Sequence, residues 1–349
     1  MGRHEYLKQH LMVRRRSKYL TRLKFFGIAL VLIVLFLCSF NFGRFEIPID
    51  KVLKIILSRA IPMAKTWDTS QETVVLFIRL PRLIAAVLVG GALALAGAAY
   101  QAVFKNPLVS PDILGASSGA SLGAAIAIFS GFGSVWVQIL AFVCSLVAIF
   151  LTYNIGGRIK KEPTLALILA GIFISSLCNA VVSMIKFMAD PNDKLPTLTY
   201  WLMGSLGSIE ISQVVWIMIP MLIGAVPLLL LRWRLNVMSM GEDESKALGI
   251  ETKRLRIIVI LNSTILTAAS ISIGGLIGWV GLVIPHLARR LVGPNNKVML
   301  PASVLMGGAF LLLVDNFART LTAKEVPLGV LTAIVGAPFF ITLMMYNKE

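Results

Sequence analysis

The chain has 349 residues, 57% of them hydrophobic and only 14% charged, where a soluble domain carries about 25%. Its mean hydropathy is +0.84 and its apolar residues gather in long blocks. This excludes an ordinary soluble domain and fits a polytopic membrane protein. The formal charge of +16 lies between the blocks, where topology and lipid headgroups account for it and nucleic acid does not.

The first 24 residues form a basic tail holding eight Lys and Arg before Phe25. It precedes an apolar block with no small-residue cleavage site, so the reading is a retained first span. A span needs roughly 20 apolar residues. On that basis the spans are expected at 25–42, 83–104, 113–130, 135–155, 164–188, 212–231, 257–273, 276–291, 301–320 and 327–346. Gly274 and Gly275 offer the only turn between the seventh and eighth, which therefore also read as one re-entrant unit. Ten spans place both ends on one side. With the N-terminus inside, inner segments hold 22 of the 33 Lys and Arg and outer segments the other 11, so both termini are assigned to the cytoplasm.

Between the first two spans, segment 48–60 has Ile49, Val52, Leu53, Ile56 and Leu57 at helical spacing behind Pro48. It predicts a short helix lying on the outer face. Arg79 and Arg82 then stand at the outer mouth of the second span, against the charge bias, with Pro81 expected to start the helix. Gln101 is polar within that span, a place where such residues face a bundle interior or a path. The following loop, KNPLVSPDILG at 105–115, cannot continue the helix through Pro107 and Pro111, and Asn106 suits a turn. Gly90, Gly91, Ala94 and Gly97, then Gly115, Gly119 and Gly123, form smooth faces for close helix packing.

The longest inner loop, 232–256, contains SMGEDESKALGI. Ser239 and Glu242 make a capping-box pattern and Gly249 suits a left-handed stop, which predicts a short cytoplasmic helix. Pro285, His286, Arg289 and Arg290 end the eighth span. One histidine beside two arginines is no metal site, so no metal is expected. Cys38, Cys144 and Cys178 lie in apolar blocks without ligand or redox spacing. No phosphate-cradling G-x-x-x-x-G-K-[ST] is present, and no nucleophile–base set, so the chain is not expected to be an enzyme. No acidic residue sits mid-span: Asp190, Asp315 and Glu325 fall at outer ends. That weighs against an ion-driven secondary transporter.

In order along the chain stand RLPR (79–82), Q-x-x-x-x-NPL-x-x-P-x-x-LG (101–115), GLVIPH-x-x-R (281–289), D-x-x-AR (315–319) and E-x-P-x-G with G-x-P-x-F (325–339). Together they resemble the FecCD-type permeases of bacterial ABC importers for iron–siderophores, haem or cobalamin. The departures are small: Ala96-Gly97 where the family often has Ser-Gly, and Trp279 where it has Phe.

The resemblance implies an all-α polytopic membrane protein with the type II ABC importer permease fold. A basic tail, 1–24, precedes a permease domain, 25–349, whose two halves are inverted relatives. It implies a bacterial cytoplasmic membrane location and a second permease alongside, identical or paralogous. Two cytoplasmic ATPases would supply ATP hydrolysis, with no cofactor on this chain, and a substrate-binding lipoprotein would dock outside. Arg79, Arg82 and Arg319 are then expected to pair with glutamates of that binding protein. Gly241, Glu242, Ala247, Leu248 and Gly249 are expected to contact the ATPase. Gln101, Asn106, Pro107 and Gly115 are candidates for the path or its gate. The implied cargo is a ferric siderophore, with haem or cobalamin as the alternative.

Overall fold

The structure is a computed structural model, and it describes residues 3–346 apart from 44, 60, 63, 160–162, 241 and 323. The described residues are helical with no strand. The ten expected spans correspond to ten helices: α1 (Arg3–Ser39), α4 (Leu80–Phe104), α5 (Ala116–Phe129), α6 (Ser134–Gly156), α7 (Pro163–Met188), α9 (Ile211–Leu230), α12 (Thr252–Gly274), α13 (Val280–Val292), α14 (Asn296–Thr320) and α15 (Leu328–Tyr346). Shorter helices fill the gaps: α2 (Ile49–Leu57), α3 (Thr69–Thr73), α8 (Lys194–Met203), α10 (Arg232–Met238) and α11 (Glu242–Ala247). Seven described helices are long and apolar enough to cross a membrane, so this is a multi-pass membrane protein. The other three of the ten, α5, α13 and α15, are shorter.

The basic tail is not separate from the first span, because α1 is continuous from Arg3. It lies at the periphery, with 6% of its apolar window buried inside the protein, against 83% for the helix that contains α4. The helix expected in segment 48–60 is α2, though only one of its apolar faces is covered. Val52 and Ile55 are buried, while Ile49, Leu53 and Leu57 are open to the surroundings.

The second span begins earlier than Pro81. From α3 the chain passes through a π-helical turn, Val74–Arg79, directly into α4, so the helix runs unbroken from Thr69. The amide of Leu80 donates to the carbonyl of Val75, five residues back. The wide turn falls where an α-helix would drive the Pro81 ring against the Phe77 carbonyl. Proline is accommodated inside the helix, not at its start.

Helix α4 is the central post, packed by α14, α12, α13 and α9. Its small residues let backbones touch: a methyl on Gly90 would collide with the Gly307 carbonyl, and one on Gly307 with the Gly90 carbonyl. Gly119 and Gly123 of α5 do the same for α6, against the carbonyls of Cys144 and Leu140. Such faces supply the close dispersion contact that lipid cannot.

Candidate functional site

Three places in the bundle gather the residues singled out by the sequence. The first is the end where α1 stops and α4 begins. The three arginines expected to present outward do come together here, but they are buried, at 4% (Arg79), 4% (Arg82) and 7% (Arg319) exposure. Each has partners within the chain. Arg82 Nε donates to Asp315 Oδ1 at 2.8 Å, and its Nη1 donates to both oxygens of Glu325 at 2.9 Å. Arg319 Nε lies 3.1 Å from Asp315 Oδ2, close in charge though not aligned as a hydrogen bond.

Arg79 and Arg319 also close the end of α1. Arg79 donates to the carbonyls of Phe40 and Phe45. Arg319 donates to those of Phe42 at 2.9 Å and Ser39 at 3.4 Å. Asn316 adds a bond to the Ser39 hydroxyl at 2.8 Å. A helix end leaves carbonyls without intrahelical donors, and cations suit that negative pole. Three guanidinium groups against two carboxylates leave one positive charge. Glu325, with 35% of its side chain exposed, is the most accessible member.

The second place lies in the middle of the bundle. Loop 105–115 turns back into the helices, and so does segment 275–279 from the opposite end. They meet at a cavity of about 260 Å³, lined among others by Leu93, Ser110, Asp112, Thr267, Gly278 and Trp279. Leu93 stands 11 residues before the end of α4 at Phe104, which at 1.5 Å per residue is roughly 16 Å deep. The expectation that no acid sits mid-span is therefore corrected: Asp112 reaches mid-depth because its loop re-enters, held by a hydrogen bond from Ser117. Trp279 sits there with φ of +68°, a left-handed conformation costly for a bulky residue.

Gln101 is buried close by. It donates to the Leu282 carbonyl at 3.3 Å and accepts from Arg289 at 3.3 Å, tying α4 to α13. Asn106 and Pro107 are exposed on the turn, where the Asn106 side chain accepts from the Leu108 amide at 2.9 Å. Gly115 is buried with φ of +92°, joining the loop to α5. The sequence did not single out Asp112, and it marked Trp279 only as a departure from the family pattern. The two prolines of 105–115 and the glycines around 274–278 were the available signal, since both mark chain reversals.

The third place is the opposite end. Helix α10 is an element the sequence did not reveal. Ser239, expected to cap the helix after it, instead ends α10, its hydroxyl donating to the Asn236 carbonyl at 2.7 Å. Gly241 lies outside the described residues, and Glu242 opens α11. Gly249 has the expected left-handed φ of +75°. The amide of Ile250 returns to the Ser245 carbonyl at 2.9 Å, the six-to-one bond of a Schellman stop. Ser245 and Ile250 face inward, while Ala247 and Leu248 are exposed.

Residues 31–346 match the FecCD transport family. The molybdate import system permease protein MolB of Haemophilus influenzae is 39% identical over 324 residues, 93% of this chain and 96% of that one. A probable iron chelatin transport system permease of Helicobacter pylori is 36% identical over 327 residues, 93% of this chain and 99% of that one. Among solved structures, an inward-facing conformation of a putative metal-chelate type ABC transporter superposes with a TM-score of 0.82. It is 37% identical and covers 92% of this chain and 98% of its own.

Proposed function

The chain belongs to the FecCD transport family, as a permease of the ABC-importer type, and from that premise we propose that it passes a ferric siderophore across the bacterial cytoplasmic membrane. Both termini face the cytoplasm, following the charge bias. Two ATPase chains bind beneath α11, where the exposed Ala247 and Leu248 stand beside the glycine stop. A substrate-binding protein docks at the end that carries Arg79, Arg82 and Arg319, drawn by the surplus positive charge. A second permease completes the path.

The observation that carries the cargo assignment is the mid-depth cavity. Its wall offers a carboxyl group, an indole and the hydroxyls of Ser110 and Thr267. That wall suits a chelate with organic surface and hydrogen-bonding groups. Asp112, when ionised, would repel an oxyanion beside the path, which weighs against molybdate despite the relative at 39% identity. Haem and cobalamin share the favoured features, and the binding protein chooses among them.

The test is reconstitution of the permease with its ATPase and binding protein in liposomes. Labelled ferric siderophore and labelled molybdate are offered with and without ATP. The expected outcome is ATP-dependent iron uptake with no molybdate uptake. Molybdate uptake alone would reverse the assignment.

A further inference from the structure

At the end of the bundle assigned to the cytoplasm, a groove of about 390 Å³ runs between α1, the start of α10 and the start of α14. Three cations from three helices line it: Arg22, Arg232 and Lys297. Its floor is apolar, from Phe25, Phe26, Val298 and Pro301. No lining residue is acidic, and among the described residues none of the three cations pairs with a carboxylate.

One cation is held in place by the fold. Pro301 has no amide to offer the carbonyl four residues back, that of Lys297. Arg232 Nη1 takes that carbonyl instead, at 3.1 Å. The guanidinium is thereby held beside Lys297. Lys24, between Arg22 and Phe25 in sequence, does not line the groove and donates to the Leu291 carbonyl at 2.9 Å. The aromatic floor lies where α1 enters its apolar stretch: Phe26 is among its most exposed residues, and Trp233 is exposed beside Arg232. Aromatic rings and cations at this level mark the headgroup boundary of a membrane.

We propose that this groove binds an anionic phospholipid. Its phosphate would lie among Arg22, Arg232 and Lys297, and an acyl chain against Phe25, Phe26 and Pro301. Charge complementarity carries the assignment, because three cations without an acid meet a leaflet whose headgroups are anionic, and basic pockets between transmembrane helices suit such headgroups. The site is independent of which cargo the permease carries.

The experiment uses the full chain purified in a mild detergent. Phosphatidylglycerol and phosphatidylcholine of equal chain length are titrated separately, and bound lipid is counted by native mass spectrometry. Wild type should prefer phosphatidylglycerol, with about fivefold of that preference from each cation. The variant R22Q/R232Q/K297Q should lose the preference while keeping its fold by circular dichroism. Control variant K51Q/K54Q, on the outer helix α2, should keep it. If the triple variant is poorly folded, Arg22→Gln alone should still lower the preference about fivefold. Millimolar inorganic phosphate should not displace the lipid, because it lacks the chain that fills the floor. Three results would each overturn the proposal: equal retention of the two lipids by wild type, an unchanged preference in the cation variants, or displacement by phosphate alone. A fourth is loss of ATPase pull-down with lipid preference intact, which would make the groove a protein contact.

Discussion

Arg82 shows how much a single side chain holds where α1 stops and α4 begins. It joins Asp315, with no exposed surface, to Glu325, 243 residues away in sequence. Removing one partner of a buried pair leaves the other charged and dry, at a cost of about 3–5 kcal/mol. Arg82→Ala should therefore lower thermal stability in detergent clearly. Arg82→Lys should fall between, since an ammonium cannot fork to two carboxylates. Asp50→Asn, which removes an exposed pair with Lys54, should change it by no more than about 0.5 kcal/mol. The burial also alters what charge reversal tests. Arg82→Glu would set three carboxylates together and unfold this end, so loss of docking in that variant would not report on the binding protein. At Gly97 the limit is space. A methyl there would meet the Gly281 carbonyl, which Pro285 leaves without its helical donor. Gly97→Ala should cost about 1–3 kcal/mol, seen as earlier unfolding in the same assay.

The elements were more legible than the contacts between them. Hydropathy located the ten helices expected as spans, seven of them long and apolar enough to cross a membrane, because long apolar runs are a local signal. The left-handed stop at Gly249 was legible for the same reason. Arg79, Arg82 and Arg319 were visible as costly charges, yet their acceptors were not, since Phe42 and Arg319 are 277 residues apart. The depth of Asp112 was hidden too, because a proline turn reads alike whether it lies on the surface or re-enters. Two element-level changes test the reading. A side chain on Gly249 meets nothing within 4 Å, so Gly249→Val is penalised by its φ of +75° alone. It should insert normally, raise amide exchange over 244–250 and weaken ATPase pull-down. Deleting Phe77 from the π-helical turn should restore α-helical spacing and turn residues 69–76 by about 100° relative to Arg79 and Arg82. Amides of α2, which packs on that turn, should then exchange faster while the Arg79 and Arg82 contacts persist, as read by hydrogen exchange in nanodiscs.

For the whole molecule, loop 105–115 and segment 275–279 meet at a cavity part-way along α4, where the proposed path would run. Transport should then need ATP on the partner chain. Uptake by the permease alone under a proton gradient would contradict that. The arginine network has a further meaning in time. Helix α1 is made first and is hardly buried by its neighbours, and its last carbonyls wait for Arg79 and then for Arg319. At about 5–20 residues per second, the second wait lasts roughly 14–55 s. During it the first helix is threaded but not fastened, and the nascent chain is one that a membrane chaperone or protease can still judge. The arginines at the end of α1 thus close an account of synthesis: only a chain completed through α14 has its beginning secured.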